Sequence, residues 1–146
     1  FFDNIKLILS PMLEDKKVEL QIDIDPTHPR FCVDPFKFEQ IFINLVENSL
    51  RYTENGRILI RGKATDSDLT IEISDNGSGI APEHLPRIFE RFYVADPSRS
   101  RSNSGTGLGL AIVKHIVALH NGTIDVTSTL GEGTTFKIVI PASKAS

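Results

Sequence analysis

No stretch of this sequence approaches the roughly 20 consecutive apolar residues that a membrane-spanning helix needs, so it reads as a soluble stretch. A single cysteine, Cys32, excludes an internal disulfide and, in its apolar context, reads as a buried inert thiol. Basic residues are not in surplus. The 16 Lys and Arg stand against 19 Asp and Glu for a net charge of -3, which argues against general nucleic-acid binding. No Gly-Lys-Ser or Gly-Lys-Thr occurs, which excludes a P-loop. A charged-then-apolar leader is also lacking. The sequence opens at Phe1 in a helical pattern, as expected of a piece of a longer protein, so membrane attachment elsewhere in the parent stays open.

What is present is ordinary globular composition, 40% hydrophobic and 24% charged over 146 residues, which fits a single domain over 1–146. Phe1, Ile5, Ile8, Leu9 and Met12 predict a short helix over 1–15, disturbed by Pro11. Val18, Leu20, Ile22 and Ile24 alternate with polar residues and predict a strand that Pro26 and Pro29 end. Asp34 caps a helix with Pro35 in its first turn, and Phe38, Ile41, Phe42, Leu45 and Val46 line one apolar stripe down to about Thr53. Turn signals at Asn55-Gly56 and Asp66-Ser67-Asp68 predict an antiparallel strand pair through Ile58–Arg61 and Leu69–Ile73. A short helical stretch over Pro82–Phe92 follows, and then the polar run 94–107, with a composition that predicts a mobile segment. Leu108–His120 is helical by spacing, with Asn121-Gly122 as its stop. Two last strands, at Ile124–Val126 and Phe136–Ile140, are joined by a bend at Gly131–Gly133. Every strand alternates, which predicts a sheet with one buried and one wet face and helices on one side. The expected fold is an α/β (α+β) two-layer sandwich with a mixed, largely antiparallel sheet.

Four short segments in this order carry the chemistry: Asn44–Asn48, Asp75–Gly79, Gly105–Leu110 and Gly131–Thr134. Asn44 and Asn48 stand four apart and share a helix face with Gln40, Glu47 and Arg51. That face is either simply solvated or offers a carboxamide oxygen to a hard cation such as Mg²⁺. Asp75 and its glycines make a turn by composition alone, or place a carboxylate at a pocket floor to accept from an exocyclic amine such as that of adenine. Gly105-Thr106-Gly107-Leu108-Gly109 opens into a helix, where free amides favour phosphate. Its spacing and the polar loop before it do not fit a dinucleotide fingerprint. Arg91, Arg99 and Arg101 are candidate phosphate donors or plain surface charges. Phe89 and Phe92 read as core aromatics that tether the loop, and Tyr52 either closes a base pocket or ends its helix.

In order and form, Asn44–Asn48, Asp75–Gly79, Phe89–Phe92, Gly105–Gly109 and Gly131–Gly133 resemble the N box, first glycine box, F box and second and third glycine boxes of the catalytic ATP-binding domain of bacterial sensor histidine kinases. Residues 38–53 resemble the phosphate-sensing or osmosensing branch. The resemblance implies the Bergerat ATP-binding fold shared with DNA gyrase, with a mobile ATP lid over 93–107 and residues 1–15 as the tail of a connection from a dimerisation domain. It implies Asn48 as Mg²⁺ ligand with Asn44 supporting it, and Asp75 reading adenine. The implied nucleotide set extends to Arg51, Tyr52, Gly77, Gly79, Ile80, Arg99, Arg101, Gly105, Thr106, Gly107, Leu108, Gly109, Leu110 and Thr134, with Arg91 beside the asparagines in catalysis. In ATPase members a water-activating glutamate stands where this chain has Asn44, so the resemblance points to phosphotransfer. A nucleotide-sensing module without transfer and a hydrolysing ATPase are the other readings. None of His28, His84, His115 and His120 fits the acceptor position, so the acceptor is expected on the dimerisation domain of a homodimeric parent, with this cytoplasmic fragment monomeric and any membrane anchor elsewhere. ADP and, indirectly, a response regulator complete the expected partners.

Overall fold

In the computed structural model the described residues are 2–24, 34–91, 93 and 108–141, and Cys32, His28, Phe92, Arg99, Arg101, Gly105, Thr106 and Gly107 lie outside them. Helix α1 (Phe2–Lys16) precedes strand β1 (Glu19–Ile24), helix α2 (Pro35–Tyr52), strands β2 (Arg57–Ala64) and β3 (Asp68–Asp75), helix α3 (Gly109–Leu119), and strands β4 (Thr123–Thr129) and β5 (Gly133–Pro141). The sheet order is β1-β2-β3-β5-β4, parallel between β1 and β2 and antiparallel elsewhere. It is the mixed, mostly antiparallel sheet the alternation predicts.

Local chemistry explains most boundaries. Asp34 is extended and accepts from the amides of Phe36 and Lys37 at 2.9 and 3.3 Å, satisfying donors that α2 leaves free at its start. Helix α3 ends in a Schellman motif, with Gly122 N donating to Val117 O and Asn121 N to Ala118 O, and Asn121 takes the left-handed conformation (φ 58°).

Two expectations need correction. Pro11 does not interrupt α1, which runs unbroken from Phe2 to Lys16. The amide it lacks would have bonded the carbonyl of Leu7; both residues are exposed, so water can serve that carbonyl while Ile5 and Leu9 stay fully buried on the opposite side. The stretch from Pro82 is not an α-helix among the described residues. It holds one 3₁₀ turn, Leu85–Arg87, flanked by further i to i+3 bonds such as Glu90 N to Arg87 O. Pro86 has no amide to give the carbonyl of Pro82, so the α ladder cannot start.

The core lies between the helices and one sheet face. Cross-strand rows on that inner face read Ile24, Gly62, Ile71, Ile138, Ile124 and then Ile22, Ile60, Ile73, Phe136, Val126. The next row begins Leu20, Ile58 and turns polar: Asp75, Thr134, Ser128. The outer face carries a row of alternating charge, Asp23, Arg61, Glu72, Lys137, Asp125, in which every neighbour is of opposite sign. Over the inner rows α2 buries Phe42, Leu45 and Val46 completely, and Phe38 meets Phe42 edge to face at 5.9 Å. Phe42→Ala should lower the unfolding free energy by about 3–5 kcal/mol, read from the urea midpoint with an unchanged m value. A loss below about 1 kcal/mol would show that the helices close over the gap.

Candidate functional site

The site lies where the inner face turns polar, and α2 crosses it with its C-terminal half. Asn48 and Ser49 are buried on α2, as is Thr53 at its C-cap. Asp75 ends β3 directly opposite Thr134 on β5, and Thr134 is itself buried. Burial raises the Asp75 pKa above its ordinary value of 3.8, because a desolvated carboxylate resists ionisation. The amide of Gly77, the Ser49 hydroxyl, the Thr134 amide and the Thr53 hydroxyl act against that rise. Of these, Gly77 N donates to Oδ1 at 3.0 Å, whereas the two hydroxyls close no hydrogen bond of ordinary geometry. Ser49 Oγ, Arg51 Nε and Thr53 Oγ1 are the buried side-chain polar atoms without a partner among the described residues. Such atoms are costly unless something completes them, and their clustering on the last turns of α2 marks a place for a polar ligand.

The loop after Asp75 is held by its own chain on two sides. Ser78 N donates to Tyr52 O at 2.8 Å, and a Cβ at Gly77 would stand 2.2 Å from that same carbonyl. Gly79 has φ +76° and lies so close to the Thr129 carbonyl that a Cβ would meet it at 2.3 Å. Only glycine fits either position. The glycines therefore let the loop sit against α2 and the β4–β5 hairpin. That contact is with the protein's own backbone. Ile80, buried, closes the loop with its amide on Ser128 Oγ at 2.7 Å.

On the other side, α2 faces the start of α3. Asn44 Nδ2 donates to Gln40 O at 2.8 Å, which turns Oδ1 toward Gly109, where a Cβ would lie 3.1 Å away. Among the described residues no side chain caps α3 at Leu108, and the first-turn amides of Gly109 and Leu110 lack an intrahelical acceptor. Phe89 packs edge to face on Phe136 at 6.2 Å with Lys114 Nζ 5.6 Å from its ring centre, so it joins the core as expected, while Phe92 and the loop the two were expected to tether lie outside the described residues. Tyr93 bonds His84 through its phenol and lies under Arg87 at 4.6 Å, fixing the last described residue before 94–107.

Among the residues expected at a site, Asn44, Asn48, Tyr52, Asp75, Gly77, Gly79, Ile80, Gly109 and Thr134 are thus brought together. Leu108 and Leu110 are half-buried beside them, and Arg51 is half-buried on α2. Arg91 is exposed, and among the described residues no hydrogen bond or ion pair ties it to Asn44, Asn48 or Asp75. Ser49, Thr53 and Ser128 are the residues that sequence reasoning passes over. Ser128 could have been found, because it follows Ile124 and Val126 at an inward position where another apolar residue is due. No group of three or more His, Cys, Asp or Glu gathers among the described residues. A hard cation at Asn48 would therefore draw most of its shell from ligand oxygens and water, as Mg²⁺ does in phosphate sites.

Residues 33–144 match the family described as histidine kinase-, DNA gyrase B-, and HSP90-like ATPase. The chain belongs to this family. Within these histidine kinase-like ATPases it is 45% identical over 132 residues to the sensor histidine kinase CusS of Escherichia coli (strain K12), covering 90% of this chain and 27% of that protein. It is 40% identical over 141 residues to the sensor histidine kinase YclK of Bacillus subtilis (strain 168), covering 96% and 30%. The chain thus spans less than a third of either relative's length. Among solved structures it superposes on the nucleotide-free catalytic domain of histidine kinase ThkA with a TM-score of 0.80 at 25% identity, covering 96% of this chain and 89% of that one. Full-length ShkA in complex with AMPPNP matches with a TM-score of 0.80 at 29% identity, covering 99% of this chain and 30% of that one.

The half-buried Asp75 carboxylate gives a stability test with a definite sign. A folded pKa above 3.8 means that the native state binds the Asp75 proton more readily than the unfolded state does. The ionised group then weakens the fold at neutral pH, and the penalty fades as pH falls through the raised pKa. Asp75→Asn should leave the thermal midpoint at pH 7 unchanged or raise it by about 2–4 °C, with the difference shrinking toward acid pH. A clearly lower midpoint at pH 7 would show that the charge stabilises the fold.

Proposed function

We propose that this domain binds Mg²⁺-ATP and delivers the γ-phosphoryl group to a histidine on the dimerisation domain of its parent sensor kinase, as a step in two-component signalling. One observation carries the reading: buried Asn48 and half-buried Asp75 accompany unpartnered hydroxyls at the inner-face row that turns polar, with no side-chain cap at the start of α3 among the described residues. ShkA, to which the chain is similar, was solved with AMPPNP, which supports an adenine nucleotide here.

In this reading Asp75 and Thr134 receive the base, Tyr52 and Ile80 flank it, and Gly77 and Gly79 shape the loop beside it. Asn48 holds Mg²⁺, which spreads the negative charge of the phosphates, and Asn44 supports Asn48 through the face they share. The amides at Gly109 and Leu110 take phosphate oxygens. Arg51, Arg91, Arg99 and Arg101, with Gly105, Thr106, Gly107 and Leu108, complete the phosphate set across a lid over 93–107. The domain's task is positioning and charge compensation, since phosphoryl transfer asks little covalent chemistry of the protein. The acceptor imidazole attacks phosphorus with its own lone pair and ADP leaves.

Transfer is favoured over hydrolysis by Asn44. Its carboxamide cannot take a proton from water, and its Nδ2 is already committed to Gln40 O. The histidines of the described residues do not serve as acceptor in this reading: His84 is bonded to Tyr93, His120 to Ile116 O and Asp34 N, and His115 lies exposed on the helix that flanks the site. The parent is proposed to be a homodimer that passes its phosphoryl group to a response regulator, with this part in the cytoplasm. No helix of the described residues is long and apolar enough to cross a membrane, so an anchor would belong to another part of the parent.

Asn48→Ala should reduce transfer from radiolabelled ATP to a supplied acceptor domain by about a hundredfold or more, with the unfolding midpoint little changed. Undiminished transfer would remove Asn48 from the mechanism, and steady phosphate release by the isolated domain would favour a hydrolysing ATPase instead.

A further inference from the structure

Ser128 closes the polar row of the inner face, and its hydroxyl meets three groups. The amide of Ile80 lies at 2.7 Å, the carbonyl of Gly133 at 3.1 Å and the hydroxyl of Thr134 at 2.8 Å. A hydroxyl has one proton to give and two lone pairs to offer. The Ile80 amide can only donate and the Gly133 carbonyl can only accept, so Ser128 gives its proton to Gly133. Thr134 must then donate its own proton to Ser128. The Thr134 hydroxyl is left with lone pairs alone, directly across the strand pair from Asp75. The same Ser128 contact pins the end of the loop that follows Asp75.

We propose that Ser128 is a positioning residue for base selection: by drawing the Thr134 proton onto itself while holding the Ile80 amide, it makes Thr134 a second acceptor beside Asp75. Asp75 and the Thr134 hydroxyl then present two acceptors side by side, which suits a base with an exocyclic amine and disfavours one with a carbonyl at the same place. A carbonyl oxygen set against buried acceptors leaves all of them unpaired, which is a stronger discriminator than any missing contact. Without Ser128 the Thr134 hydroxyl is free to turn and donate, so a carbonyl-bearing base becomes acceptable. This inference rests on Asp75 being the base contact.

The test compares binding of ATP and inosine triphosphate, which carries a carbonyl in place of the amine, to the wild-type chain and to Ser128→Ala, Ser128→Cys and Ser128→Thr in the presence of Mg²⁺. The wild type should prefer ATP. Ser128→Ala and the near-isosteric Ser128→Cys, whose sulfur bonds weakly, should each narrow that preference by about tenfold, and Ser128→Thr should keep it. Should the alanine variant fail to fold, the cysteine variant decides. Equal weakening of both nucleotides would mean that Ser128 only supports the loop, and an unchanged preference would mean that Thr134 needs no such help; either result overturns the proposal while leaving Asp75 in its role. A wild type with no preference for ATP would instead overturn the reading of Asp75 itself.

Discussion

The arrangement depends on one half-buried carboxylate. Asp75 stands in the register position where the inner face of the sheet would otherwise continue its isoleucines, and a desolvated carboxylate is tolerated there only if donors surround it. The surrounding polar groups come from separate parts of the chain: amides of Gly77 and Thr134, with the unbonded hydroxyls of Ser49 and Thr53 nearby on or next to α2. None of these donors carries a charge, so the carboxylate is compensated by dipoles alone. A carboxylate in that state is a strong acceptor for any further donor that reaches it. Burial thus costs stability and creates affinity at the same atom, which is the compromise expected where function outweighs folding.

Keeping those donors in place sets the demands on the backbone. The loop after Asp75 must lie against the end of α2 and against the β4–β5 hairpin at once, and no side chain fits between. Ser78 uses its amide on Tyr52 and its carbonyl on Gly131, so one residue ties the helix to the hairpin. Gly133, at φ +130°, is pressed on the Asp75 carbonyl, where a Cβ would stand only 2.0 Å away. Helix, loop and hairpin are therefore tied to one another around the carboxylate. The opposite wall, formed by Asn44 and the uncapped start of α3, is joined to this body through α2. A rigid floor facing an accessible helix end suits a ligand with a flat, hydrogen-bonding head and an anionic tail.

Much of this was legible in the sequence because the relevant signals were local. Asp34 before Pro35, the alternation of β2, β3 and β5, and Asn121-Gly122 each carry their physical cause within a few residues, and the elements fall where those causes place them. What failed to show depended on partners far along the chain. The exception is local: the stretch from Pro82 has helical composition, yet Pro86 removes the donor that an α turn needs there, so the bonds close at i+3. Ser49 and Thr53 read as ordinary helix-end residues until β3 brings a carboxylate beneath them. Gly79 reads as a turn residue, whereas the close approach of Thr129, far along the chain, is what requires glycine there.

Asn44 gives the clearest link from a single side chain to the division of labour proposed for the parent protein. Its amide hydrogen bonds back to Gln40 and its oxygen faces the start of α3, so it braces two helices at the point where phosphate would lie. An acid at this position could hold the same place but would also take protons, and a water molecule beside a bound phosphate would then be activated. With a carboxamide, charge and geometry can be prepared without a base, and reaction waits for a nucleophile that brings its own lone pair. A domain built on these terms gains nothing from completing the chemistry alone, because a phosphate lost to water is a signal lost. In the proposed division, leaving the nucleophile to another domain would make phosphoryl transfer depend on how the two domains meet, which is the quantity a sensor can control.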